Sequence, residues 1–365
     1  MSPTLYCPLF LHLAVLLCLL QALRPAYDQL PSYSARKEWL FVLFLTLLLS
    51  LWLGLRPVHE VFVDTSEYAR YFREAVYSSS VRLKVDWLFF FIMFCFAKAG
   101  LSVHTWLLFI EVIYIGGTAY AVCKLFPRRS MTAFAAVLVS FSFYTYGVNG
   151  IRNGMACSLF LVGMTLVIER KWTWAVMLFL LAFNMHTSVA LNIGALIIAL
   201  VYKNTKAYLL GWLLCIVLAL VAGGYFETLF ISQGIIDTGR DMSYYMNENR
   251  DMSVFSNTGF RYDFMLYGCV PILVGCYFVL KKHFGAPLYK TLLHTYIVCN
   301  SFWVLVNRNW LSNRIAYLSW VMYAFVLMYP LLMAPYVKRR KLWISCALLG
   351  SASLSYLMWL LGKYH

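Results

Sequence analysis

Apolar runs about twenty residues long follow one another along this chain, and that repetition leaves few folds open. A helix of about 20 residues crosses ~30 Å of hydrocarbon. The runs recur at about 4–23, 39–55, 105–123, 131–147, 154–168, 173–185, 187–202, 207–225, 264–280, 289–306, 314–335 and 343–361. A soluble core cannot absorb so many. Of 365 residues, 62% are hydrophobic and 12% are charged, where a soluble domain carries about 25% charged residues. The expected fold is an all-α polytopic membrane protein with about twelve transmembrane helices, forming a single integral membrane domain over 1–365. The segment 87–101 reads either as a further span or as a half-helix on one face. The first run, Leu5 to Leu23, lacks a basic leader and a small-residue cleavage site, so it reads as a retained helix rather than a signal peptide.

Charge placement orients the spans. Basic clusters at Arg36-Lys37, Lys124 with Arg128-Arg129, Arg170-Lys171, Lys203 with Lys206, Lys281-Lys282 and Lys338 to Lys341 recur on alternate connections, which marks them as cytoplasmic. The outer side then holds two long loops, about 56–86 and 226–263, and most of the acidic residues. The net charge of +15 therefore anchors the chain in a membrane and suits an anionic lipid-linked substrate; it does not indicate nucleic acid. Lysine dominates the inner clusters. The outer basic residues are mostly arginine, including Arg56, Arg152, Arg308 and Arg314. Arginine offers a planar fork for phosphate and carboxylate oxygens, so the outer face is the expected substrate face.

Several chemistries find no support. The ten cysteines lie mainly within apolar runs without metal-ligand spacing and read as packing residues. There is no phosphate-loop, HExxH or GxSxG pattern and no D-x-D pair for a nucleotide-sugar metal. No metal and no cofactor are expected. Glu111 is the one acid clearly inside a span, so no proton-relay chain is evident.

Four constellations remain. In Tyr146 to Gly154, three glycines flank Arg152 just before a helix whose N-terminus faces outward, a natural anion site. In Leu181 to Ser188, His186 sits where one apolar run ends and another begins, with Thr187 or Ser188 as the expected cap. An imidazole there suits proton transfer. In Asn307 to Arg314, Ser312 or Asn313 could cap a helix led by Arg314. Three helix starts on one side suggest a convergent anion pocket. The fourth is Arg56 followed by an amphipathic helix with Asp64, Tyr68, Tyr71 and Phe72. Here Asp64 is either a cap or a second candidate base, and the aromatic rings suit an interface or sugar stacking.

These residues resemble the EpsG-like branch of the Wzy polysaccharide polymerases. The resemblance rests on Arg56, Asp64 with Tyr68, Ile151-Arg152-Asn153 with Ala156, Glu169-Arg170-Lys171, Ala182 through His186 to Ser188, and Arg314 with Tyr317. Asn153 replaces the usual glutamine, and Val63-Asp64 lacks the usual preceding glycine. The resemblance implies a membrane glycosyltransferase of GT-C-like architecture. It would join undecaprenyl-pyrophosphate-linked repeat units at the periplasmic face of the bacterial inner membrane, for O-antigen, capsule or exopolysaccharide. His186 and then Asp64 are the implied catalytic bases, and Arg152 would stabilise the leaving pyrophosphate. Arg56, Tyr68, Arg152, Arg314 and Tyr317 are the implied substrate contacts. The implied partners are the lipid-linked glycans, membrane lipid and a chain-length regulator protein. A ligase or other polyprenyl-linked transferase shares the arginine logic. A flippase would need a polar path through the full membrane depth and internal repeats.

Single cysteines placed in 56–86 and 226–263 should react with a membrane-impermeant reagent added from outside, and those at 124–130 and 169–172 should not. Labelling at position 126 from outside would overturn this orientation.

Overall fold

A computed structural model describes residues 2–24, 35–81, 85–232, 259–308 and 312–362. The described residues are helical and turn, with no strand. The chain is a multi-pass membrane protein: eight helices are long and apolar enough to cross, and three further apolar helices are shorter. It divides into two compact units, residues 1–189 with 327–365, and residues 190–326.

The first unit contains α1 (Tyr6–Leu23), α2 (Ala35–Gly54), α3 (Val63–Tyr77), α4 (Trp87–Lys98), α5 (Val103–Leu125), α6 (Ser130–Leu138), α7 (Phe143–Val148), α8 (Ile151–Ile168) and α9 (Trp172–Met185). The second contains α10 (Ala190–Val201), α11 (Thr205–Ser232), α12 (Tyr262–Cys276), α13 (Pro287–Leu305) and α14 (Ser312–Trp320). The chain continues through α15 (Tyr323–Met333), and α16 (Arg340–Leu360) returns to the first unit.

Two expected spans are interrupted. The run 131–147 becomes α6 and α7, with the Ser140 hydroxyl donating to the Val137 carbonyl at 2.6 Å between them. The run 314–335 is divided by a turn at 321–322 into α14 and α15, which together form Ser312–Met333, one of the eight candidate spans. The ambiguous segment 87–101 forms α4, 12 residues long. At ~1.5 Å per residue it measures about 18 Å, well short of a bilayer core. Most of the expected outer loop 226–263, with Arg240 and Arg250, lies outside the described residues, as do Arg82 and Lys84.

The helix α3 has the expected two faces. Thr65, Tyr68, Ala69 and Phe72 are buried, an i, i+3, i+4, i+7 stripe. Arg70 on the other face bridges Glu67 and Glu74. Tyr68 packs against Phe89 and Trp106 with ring centroids 5.4 and 6.2 Å away, which seats α3 on α4 and α5. At the far end, Lys98 Nζ donates to the Val76 carbonyl at 2.8 Å.

The α7–α8 junction is packed tightly. A Cβ on Gly154 would lie 2.5 Å from the Tyr146 carbonyl oxygen, a backbone atom that cannot step aside. The helix α8 begins at Ile151, and Arg152 falls in its first turn. Gly154→Ala should lower stability by about 1–3 kcal/mol through overpacking. Gly194→Ala, where nothing lies within 4 Å of the new carbon, should leave it nearly unchanged. Thermal unfolding in detergent separates the two.

Candidate active site

Three residues distant in sequence meet around one buried carboxylate. Asp86 is 3% exposed and directly precedes α4. Its backbone is left-handed, with φ 61°, a region that aspartate tolerates better than most residues. An aspartate before a helix ordinarily caps it. Here the side chain makes no cap bond to α4 and points to other elements. Its Oδ2 accepts from Arg152 Nη1 at 2.7 Å and lies 2.9 Å from His186 Nδ1. Its Oδ1 accepts from the Thr187 backbone N–H at 3.0 Å, satisfying a donor at the start of the 3₁₀ turn Thr187–Val189.

Arg152 completes the cluster. Its Nε donates to the Tyr68 hydroxyl at 2.7 Å, and its guanidinium carbon lies 5.8 Å from the Tyr68 ring centre and 5.7 Å from that of Phe90. The fork is therefore held by a carboxylate, a phenol and two aromatic rings. Its Nη2 has no partner among the described residues. Asp64, in the first turn of α3, acts on Arg152 through its charge.

His186 closes α9 in extended conformation, with φ −157° and ψ 117°. Trp87 Nε1 donates to Asn184 Oδ1 at 2.5 Å, so the start of α4 is tied to the end of α9 beside the cluster. Burial pushes the Asp86 carboxyl up in pKa. The hydrogen bond and charge of His186, the charge of Arg152 and the Thr187 N–H outweigh that, and the group stays below its ordinary value of 3.8. An ionised carboxylate can only accept, so Nδ1 of His186 carries a proton. In the neutral ring the lone pair then sits on Nε2, which has no partner among the described residues. The arrangement can hold an anion at the free edge of Arg152 and take a proton at Nε2.

The sequence-based site is thus brought together in part. Tyr68, Arg152 and His186 share one cluster, with Asp64 beside it. Arg56 lies in the interior, 0% exposed, with Nη1 bonded to Glu111 Oε1 and to the Leu53 carbonyl at 2.7 and 2.8 Å. Asp64 follows the N-cap position, which is Phe62, so it is not the cap of α3. Arg314 and Tyr317 belong to the second unit. Arg314 is exposed in the first turn of α14, and Tyr317 is buried one turn on. The residues 309–311 before them lie outside the described residues.

The residue not singled out in the sequence is Asp86. Its one local signal, an acid before an apolar helix, reads as an ordinary cap. Among the described residues no group of three His, Cys, Asp or Glu side chains could hold a metal ion.

A family model described as the EpsG family matches residues 39–365. No curated protein and no solved structure matches the chain.

Because its folded pKa is lowered, Asp86 contributes stability that is complete above its ordinary pKa and is lost as pH falls through the folded value. Asp86→Asn should destabilise the protein by about 1–3 kcal/mol near neutral pH, by leaving buried donors poorly matched. The gap from wild type should narrow below the ordinary carboxyl pKa of 3.8. Unfolding followed from neutral to acidic pH measures both effects.

Proposed function

The chain belongs to the EpsG family, and on that premise we propose that it polymerises lipid-linked oligosaccharide units into an extracellular polysaccharide. The donor carries a polyprenyl pyrophosphate, undecaprenyl in bacteria, and transfer occurs at the periplasmic face of the inner membrane. The observation that carries this reading is the meeting of Arg152 and His186 on Asp86, which puts an anion-binding fork beside a proton acceptor.

The chemistry balances as a simple displacement. An acceptor hydroxyl bonds to the anomeric carbon of the growing chain and gives its proton to His186 Nε2. The bond from that carbon to the pyrophosphate oxygen breaks, and its electron pair leaves with the lipid pyrophosphate. The Nη2 edge of Arg152 stabilises that developing charge, a contribution larger in a site sheltered from water. Asp86 keeps His186 in the tautomer that accepts at Nε2 and stabilises the imidazolium that forms, as the aspartate of a hydrolase triad does. Tyr68 holds the plane of the guanidinium. Asp64 is the reserve base. Arg314 is proposed as a separate anion contact on the second unit, with Tyr317 supporting its helix.

The finer architecture follows the same premise: about twelve crossings, a GT-C-like arrangement, and the arginine-rich loops outside. A chain-length regulator is the proposed protein partner.

Deletion of the protein followed by glycan analysis tests the reaction. Loss of long chains with single capped units retained supports polymerisation. Loss of every capped product assigns the protein to ligation or flipping instead. His186→Ala should lower turnover by roughly 10²–10⁴. A base must be neutral to act, so wild-type turnover should fall on acidification, and this acid limb should disappear in His186→Gln. A glutamine variant with wild-type turnover and an unchanged pH profile would leave Asp64 as the base. Arg152→Lys should lose most activity, because a point charge cannot bridge Asp86, Tyr68 and a phosphate together. Near-normal chain lengths in a stable lysine variant would contradict the clamp. Turnover should also survive excess EDTA; loss restored by magnesium or manganese would place a cation at Asp64 or its neighbours.

A further inference from the structure

The buried arginine just beyond the end of α2 touches α3, which carries Tyr68, and the last residue of α7, four residues before Arg152. Arg56 Nε donates to Thr65 Oγ1 at 3.1 Å, and Nη2 reaches the Val148 carbonyl at 3.5 Å. The Thr65 hydroxyl donates a hydrogen bond to the same carbonyl at 3.1 Å. Glu111, on α5, holds the fork from behind at 2.7 Å. Arg56, Thr65 and Glu111 are all 0% exposed, so no water competes for these bonds.

The placement is informative. Thr65 and Tyr68 are one turn apart on the buried face of α3. Val148 ends α7, four residues before Arg152. The backbone stretch between them has little slack, because a Cβ on Gly150 would lie 2.4 Å from the Tyr146 ring. We propose that Arg56, Thr65 and Glu111 are positioning residues for Arg152: the buried pair clamps Thr65 to the Val148 carbonyl and so sets the distance between α3 and the first turn of α8. The Arg152–Tyr68 bond at 2.7 Å forms at the distance this clamp sets. Only a guanidinium reaches Glu111, Thr65 and Val148 in three directions at once; an ammonium has its donors at a single point. Glu111 is thereby given a function that a lone acid within a span otherwise lacks.

The effect on turnover rests on the proposed polymerase reaction, whereas the clamp itself can be read without it. Thr65→Val keeps the shape and removes both hydroxyl bonds, and Thr65→Ser restores them. In the full-length protein, Thr65→Val should raise amide exchange over residues 149–153 by roughly tenfold and leave other segments unchanged. It should lower kcat roughly tenfold while the KM for the lipid-linked donor moves less than about threefold. Thr65→Ser should behave as wild type in both measurements. Unchanged exchange over 149–153, loosening spread evenly over the protein, or full kcat despite raised local exchange would each overturn the proposal. Should Thr65→Val not fold, Glu111→Gln is read by the same criteria. If the wild-type protein transfers no lipid-linked glycan, the polymerase reading fails and the exchange measurement alone decides the clamp.

Discussion

A single carboxylate, sheltered from water, holds the first unit's polar machinery together. Asp86 offers two oxygens, and Arg152, His186 and a backbone N–H occupy them. Any one of these groups alone in an apolar setting would be costly to bury. Together they satisfy one another, and the left-handed backbone at Asp86 is the local strain that lets the side chain leave its own helix. Strain of this kind persists where surrounding contacts over-determine it. The Trp87–Asn184 bond and the packing of Tyr68 against Phe89 and Trp106 supply those contacts.

A second buried charge pair lies deeper. Arg56, held by Glu111, bonds Thr65 on α3 and the Val148 carbonyl at the end of α7, so Arg152 is held at its side chain by Asp86 and Tyr68 and, on the proposed clamp, its helix start is set through Val148. Buried pairs are weak contributors to net stability but strongly resist loss of one partner. Such pairs suit registry, and registry is what the proposed anion-binding fork requires. The glycines around Arg152 serve the same end: Gly147 lets α7 lie close to Tyr114, and Gly154 lets α8 lie close to the Tyr146 carbonyl and Tyr114.

Much of the fold was legible from hydropathy alone. The positions of α1, α2, α5, α8, α9 and α11 follow the apolar runs, because a spanning helix must satisfy its own backbone. Hydropathy could not locate the breaks at 139–142 and 321–322, where local serine and turn geometry interrupt apolar sequence. Arg152 and His186 were legible because a polar side chain at an apolar helix end is uncommon and expensive, and Tyr68 because it is an aromatic on an amphipathic helix. Asp86 was hidden for the opposite reason: an acid before a helix is ordinary, and its partners lie 66 and 100 residues away. The sequence suggested an anion pocket shared by Arg152 and His186, and the structure joins the two through the Asp86 carboxylate. Arg56 looked like one more outer arginine; only packing shows it turned inward to Glu111.

The central claim is that Asp86 and His186 act as one unit, the acid working through the imidazole. A double-mutant cycle on turnover of purified protein supplied with polyprenyl-pyrophosphate-linked glycan tests this most directly. With Asp86→Asn, His186→Ala and the double variant compared at equal folded concentration, the double variant should be no slower than the slower single one, because removing one member already disables the pair. Losses that simply multiply would mean that the two residues act independently and would contradict the account.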